Sequence, residues 1–434
     1  MPSTAQRPPQ ITPDVSEQPE GFLERLGPGL ITGAADDDPS GIATYSQVGA
    51  QFGFGMLWTM LFSFPLMAAM QEICARLGRI TGKGIAANFR KHYPRPITYT
   101  LVLLLCFANI FNIGADITAM GAAAQLVFHG PPNLYVVLFG AISLILQIRV
   151  RYDKYVHYLK WLTLVLFTYV ATAFAVHVPW GQVLRSTVMP SFQATSGYWM
   201  GLVAVLGTTI SPYLFFWQTS EEAEEIRVNA TEEPLKKKPS QALRQFRRIA
   251  LDTRVGMAMS NIVAFFIILT AAATLHSEAN ATINTAADAA KALRPLAGNF
   301  AFLLFALGII GTGLLAVPVL AGSAAYAVAE TFRWRASLQS TAREAPKFYF
   351  VLAAATVIGI ALNFLGMNPI RALFLSAVVN GIVSAPLMAM LMIVSGNEKI
   401  VGKFTLPAYL RIAGWLTTAV ITIISAIFIV QSLR

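Results

Sequence analysis

Three consecutive aspartates, Asp36, Asp37 and Asp38, lie inside an otherwise apolar stretch long enough to cross a membrane, and Pro39 follows at once. A carboxylate at bilayer depth costs several kcal/mol, so it is retained there to meet a cation, a proton or water. Proline removes a backbone donor and interrupts the helix, leaving carbonyl oxygens free beside the acids. Carboxylates with bare carbonyls form a donor set for a hard or borderline divalent cation. This segment therefore predicts a membrane protein that handles cations.

The rest of the chain agrees. Of 434 residues, 55% are hydrophobic and only 12% charged, about half the charge of a soluble domain. The net charge of +10 is expected to report Lys and Arg in cytoplasmic loops rather than nucleic-acid binding. Cys74 and Cys106 lie in apolar stretches and read as packing residues. Residues 1–24, polar and lacking an apolar core, are expected to form a disordered cytoplasmic tail.

At about 20 apolar residues per helix, eleven spans are expected: 26–50, 53–75, 97–128, 132–148, 156–177, 195–219, 250–275, 298–329, 348–366, 370–395 and 406–432. The loops after spans 2, 4, 6, 8 and 10 carry the basic residues, among them Arg76, Arg79, Arg151, Lys236, Arg248, Arg333 and Lys399. This asymmetry places the N-terminus inside and the C-terminus outside.

Span 6 contains Gly207-Thr208-Thr209-Ile210-Ser211-Pro212-Tyr213, a second mid-membrane proline among small polar residues. It lies five spans after the first, so a repeat would be inverted. Paired broken helices in inverted halves point to a transporter site at the midplane. The expected organisation is a first repeat over 25–178, a second over 195–395 and an additional helix over 396–434. Asn380 in span 10, near Ser376 and Ser384, is either a pore ligand or an interhelical hydrogen-bond partner.

Gly27-Pro28-Gly29-Leu30 through Asp38-Pro39-Ser40-Gly41, with Gly49-Ala50-Gln51-Phe52-Gly53 and Ala75-Arg76-Leu77-Gly78, closely resembles spans 1 and 2 of the Nramp divalent-metal transporters. The similarity follows span order over most of the chain. It implies an all-α integral membrane protein of LeuT-like fold, a 5+5 inverted repeat plus one helix, with spans 1 and 6 broken. The family motifs are Asp-Pro-Gly-Asn in span 1 and Met-Pro-His in span 6. Here they read Asp38-Pro39-Ser40-Gly41 and Ser211-Pro212-Tyr213. The span-3 Asp followed three residues on by Glu becomes Asp116 followed by Ala119. These departures resemble the Nramp-related magnesium transporters.

The chemistry of the departures points the same way. A thioether favours soft metals; Ser211 removes that preference, and Gly41 deletes an amide and its volume. Mg²⁺ keeps several of its waters, so a wider oxygen-lined pocket suits it and still accepts Mn²⁺. The resemblance assigns the metal to Asp38, the Thr208 carbonyl, Gly41 and Ser211. Asp36 or Asp37, Tyr213, Asp116 and Asn380 are secondary candidates. The five histidines fall in loops or near span ends, so weak or absent proton coupling is expected. The alternative is a proton-coupled Mn²⁺/Fe²⁺ importer of the main Nramp type. Three acids at the break would repel the carboxylate of an amino-acid substrate, and paired broken helices argue against a scaffold. No nucleotide loop or nucleophile–base pair suggests an enzyme. The expected partners are the metal as cargo and the lipid bilayer of the cell (inner) membrane, with no cofactor, no nucleic acid and the oligomeric state open.

Overall fold

The computed structural model describes residues 28–150, 162–229, 231–276 and 283–433. These form helices and short turns, with no strand among the described residues. The first expected span is two pieces, α1 (Pro28–Asp36) and α2 (Pro39–Phe52). The chain then turns through 108° into α3 (Trp58–Thr81), so α2 and α3 belong to successive spans. After the short α4 (Ile85–His92) come α5 (Arg95–Phe128) and α6 (Pro132–Arg149). Part of the fifth expected span lies outside the described residues; its described part holds α7 (Phe167–Ala175). Then follow α8 (Trp180–Val188), α9 (Ser196–Thr209), α10 (Pro212–Val228), α11 (Ala242–Thr274) and α12 (Ala301–Phe332). The chain ends with α13 (Pro346–Leu362), α14 (Pro369–Ser395) and α15 (Ala408–Ser432). Among the described residues, eight spans, α9 and α10 counting as one, are long and apolar enough to cross a membrane.

The helices sort into two packed groups. In one, α1 and α2 lie along α11, and α3 packs on α10 and α11. In the other, α5, α6, α12 and α13 pack on one another. The groups meet where α12 packs on α10 and where α5 touches α2, and α14 joins them by packing on both α2 and α5. Leu103, Phe107, Phe174, Phe350 and Ile412 face outward, as an acyl-chain environment requires.

Both interruptions have the same local cause. Asp38 and Ser211 take extended backbone (φ −70°, ψ 169° and φ −75°, ψ 130°), and a proline occupies the first turn of the next helix. That is the N-cap conformation followed by the residue whose fixed φ starts a helix. The half-helices before each break also pack closely on their neighbours. A Cβ on Gly33 would lie 2.3 Å from the Gly256 carbonyl oxygen, and one on Gly207 2.1 Å from that of Ala377. Only glycine permits these backbone approaches.

Candidate metal site

The aspartates of the triplet diverge. Asp38 caps α2: its Oδ1 accepts from the Gly41 amide and the Ser40 hydroxyl, each at 2.7 Å. Its Oδ2 faces α5 and accepts from Asn112 Nδ2 at 3.0 Å. Asp36 and Asp37 turn to the other side, where the Ser260 hydroxyl on α11 lies 2.6 Å from Asp36 Oδ2 and 3.1 Å from Asp37 Oδ1. Among the described residues, no three His, Cys, Asp or Glu side chains converge on one point. A cation held here would therefore draw on amide, hydroxyl and carbonyl oxygens beside Asp38.

Those groups are present, and they join the two breaks. Asn112 Nδ2 also donates to Asp116 Oδ2 (2.9 Å), and Asn112 Oδ1 accepts from Asn380 Nδ2 (2.8 Å). One turn on, the Ser384 hydroxyl lies 2.6 Å from the Asn380 carbonyl and 3.1 Å from that of Ile210, in the break between α9 and α10. A continuous polar chain thus runs from Asp38 through α5 and α14 to the second break. Asn380 makes the interhelical hydrogen bond, yet its Oδ1 is left over. Asp36 Oδ1, Asp116 Oδ1 and Asn380 Oδ1 are all buried without a hydrogen-bond partner. Orphaned buried oxygens are rare because desolvating them is costly; a cation or water would satisfy them.

The second break contributes small groups. Ser211 does not cap α10; its hydroxyl turns back to the Thr208 carbonyl at 2.7 Å, with the Gly207 carbonyl at 2.9 Å. It therefore occupies one lone pair of the expected backbone ligand. Gly41 lies against Thr208: a Cβ there would sit 3.0 Å from Thr208 Oγ1 and 3.3 Å from Tyr45 Cε2. Tyr213 donates to the Ala35 carbonyl at 2.9 Å, tying α10 to the end of α1. Asp38, Thr208 and Ser211 are each 1% exposed, so this arrangement is occluded.

Asn112 is the residue that sequence reasoning undervalued. In the sequence it is one amide in an apolar run, one turn before Asp116; in the structure it bridges three spans.

A second polar cluster lies at the end of α3. Arg79 reaches Glu232 (2.6 Å), Glu225 (3.2 Å) and Glu222 (3.5 Å), and Arg248 reaches Glu222 (2.7 Å) and Glu225 (3.0 Å). Glu72 pairs with Arg76 at 2.7 Å and with Arg254 at 3.3 Å. Asp252 accepts from the Gly29 amide (2.8 Å), and Glu330 from the Ala87 amide (3.1 Å) at the start of α4.

The family model described as Natural resistance-associated macrophage protein-like matches residues 29–431. The chain belongs to the Nramp family. Nramp proteins are membrane transporters rather than enzymes, in keeping with the multi-pass architecture. A Klebsiella pneumoniae relative described as divalent metal cation transporter MntH is 25% identical over 420 residues, covering 95% of each chain. A Pectobacterium carotovorum protein of the same description is 25% identical over 422 residues, again 95% of each. Among solved structures, the Eremococcus coleocola manganese transporter superposes with a TM-score of 0.76 at 17% identity, over 95% of this chain and 88% of that one. Mhp1, a nucleobase-cation-symport-1 transporter in a closed conformation, gives 0.59 at 13% identity, over 94% and 90%. The fold is therefore the LeuT-like inverted repeat with broken first and sixth spans.

Proposed function

We propose that this Nramp protein carries divalent metal cations across the cell membrane by alternating access, taking Mg²⁺ and also Mn²⁺, with weak or no proton coupling. The observation that carries this is the donor set at the junction of the breaks. Asp38, the Thr208 carbonyl, Ser211, Asp116 and Asn380 offer oxygen only, and neither Gly41 nor Ser211 adds an amide or a thioether to them. Oxygen donors suit Mg²⁺ and Mn²⁺, and the lack of a thioether removes the preference for softer metals. Asp38 is the principal ligand. Asp36 and Asp37, drawn toward Ser260, act on the approach rather than on the ion. Residues 25–178 and 195–395 are the inverted halves, 396–434 an added helix, and the N-terminus is cytoplasmic. The Arg79–Arg248 ion-pair cluster then lies on the inner side and parts when the inner path opens.

The second reading is a proton-coupled Mn²⁺/Fe²⁺ importer of the main Nramp type; the likeness to a manganese transporter favours its manganese part. Uptake into proteoliposomes separates the two. Saturable Mg²⁺ entry, absent in Asp38→Ala and silent on an internal pH dye, supports the proposal. Mn²⁺ entry that carries protons, with no Mg²⁺ entry, overturns it. Ser211→Met should shift competition toward Cd²⁺ over Mg²⁺.

A further inference from the structure

Away from the breaks, a cleft of 610 Å³ opens between α4, the ends of α10 and α12, and segment 333–344. Its walls carry five cations, Lys83, Arg90, Arg227, Arg333 and Arg335, against two carboxylates, Glu330 and Glu344. Both carboxylates are already engaged. Glu330 accepts from the Ala87 amide (3.1 Å) and the Ser220 hydroxyl (3.3 Å), and Glu344 from the Thr341 amide (2.8 Å). Arg227 is engaged too, donating to the Ala336 carbonyl at 3.2 Å. Arg90 Nε and Nη1, by contrast, are buried N–H groups with no hydrogen-bond partner.

The cations also crowd one another. Burial and the Arg333 charge hold the Arg90 guanidinium below its ordinary value. Burial, then Lys91, Arg90 and Lys236, hold the Lys83 amine down in the same way. Like charges assembled around a hollow, with donors left unsatisfied, are completed by an anion that brings several oxygens. The cleft is continuous with an aromatic shelf. Trp334, on its wall, stacks on Phe332 at 5.2 Å, and Phe332 stacks on Tyr99 at 6.0 Å. Outward-facing Leu103 and Phe107 continue along α5. Aromatic rings beside basic residues mark the interfacial zone of a membrane protein, where basic pockets take phosphate head groups.

We propose that this cleft binds a phosphate-bearing anion, with Arg90, Arg333 and Arg335 on the phosphate oxygens and Glu344 as a weakening neighbour. The phosphate can belong to an anionic lipid head group or to a soluble polyphosphate. The test measures melting of the detergent-solubilised full chain against two probes: phosphatidylglycerol, referenced to phosphatidylcholine, and inorganic pyrophosphate. The expected result is saturable, salt-sensitive stabilisation by at least one probe. Response to phosphatidylglycerol alone identifies a lipid site, and response to pyrophosphate a site open to soluble phosphate. In Arg90→Gln/Arg333→Gln the midpoint should rise about thirty-fold, from the loss of two charges near the phosphate. Glu344→Gln, at an exposed position, should lower it, and this decides the matter if the double variant fails to fold. The proposal is overturned if neither probe stabilises the protein beyond phosphatidylcholine. It is equally overturned if the midpoint ignores these substitutions. Neither arm measures transport, so the result is independent of the cargo.

Discussion

Asn112→Ala is the sharpest probe of the site. The Asn112 amide donates to Asp38 Oδ2 at 3.0 Å and to Asp116 Oδ2 at 2.9 Å, and accepts from Asn380 at 2.8 Å. All four residues are at most 1% exposed, so bulk water does not replace the lost partners. A hydrogen bond to a charged group contributes about 1.5–3 kcal/mol. Losing the one that orients Asp38 therefore corresponds to about a ten- to hundred-fold weaker cation affinity. The assay is a saturation curve for Mg²⁺ and Mn²⁺ uptake into proteoliposomes, run beside a melting curve and size-exclusion profile to establish folding. The expected outcome is a KM raised by that factor in a folded protein. A folded Asn112→Ala protein whose KM stays within about twofold of the parent, while Asp38→Ala abolishes uptake, would refute the view that Asn112 orients the ligand.

Three further predictions follow from geometry away from the ligand. Gly207→Ala drives a methyl group into the Ala377 carbonyl and the Gly381 amide (2.1 and 2.4 Å) and should cost about 1–3 kcal/mol or more; Gly197→Ala, whose nearest contact is 3.4 Å from Gln51, should be silent. Yield of monodisperse protein reads both. Arg79→Ala leaves Glu232 and Glu222 short of a buried partner and should destabilise by about 3 kcal/mol, seen as a lower melting temperature. Burial, then Lys91, Lys236 and Lys83, hold the His92 imidazole below its usual 6.5. The folded chain then binds fewer protons than the unfolded chain below that pH, so this group leaves stability unchanged above about 6.5 and lowers it as pH falls further. A titration midpoint for His92 above 6.5, by NMR with labelled histidine, would contradict this.

Much of the architecture was legible because it rests on local rules. An apolar run, a proline after an Asp or Ser, and a five-span interval locate both interruptions without tertiary information. Asp38 was legible as the acid next to proline, which the N-cap position then uses. The directions of Asp36 and Asp37 were not, because they depend on how the unwound backbone rotates and on Ser260, more than 200 residues away. Asn112 and Asn380 show the same limit. Each amide has an obvious cost in an apolar helix, but nothing in the sequence says that the two meet. The acidic run 221–225 reads as a solvated helix end. In the structure Glu222 is fully buried between Arg79 and Arg248, since α3 and α11 supply the opposite charge.

The bond from the Tyr213 hydroxyl to the Ala35 carbonyl also bears on movement. It runs from the first turn of α10 to the last turn of α1, a thread that, with the Thr32–Gln218 hydrogen bond, stitches each discontinuity to the other. When α1 swings, that thread pulls α10 with it or parts. Tyr213→Phe keeps the ring and cuts this thread, which leaves the Thr32–Gln218 bond to couple the two hinges.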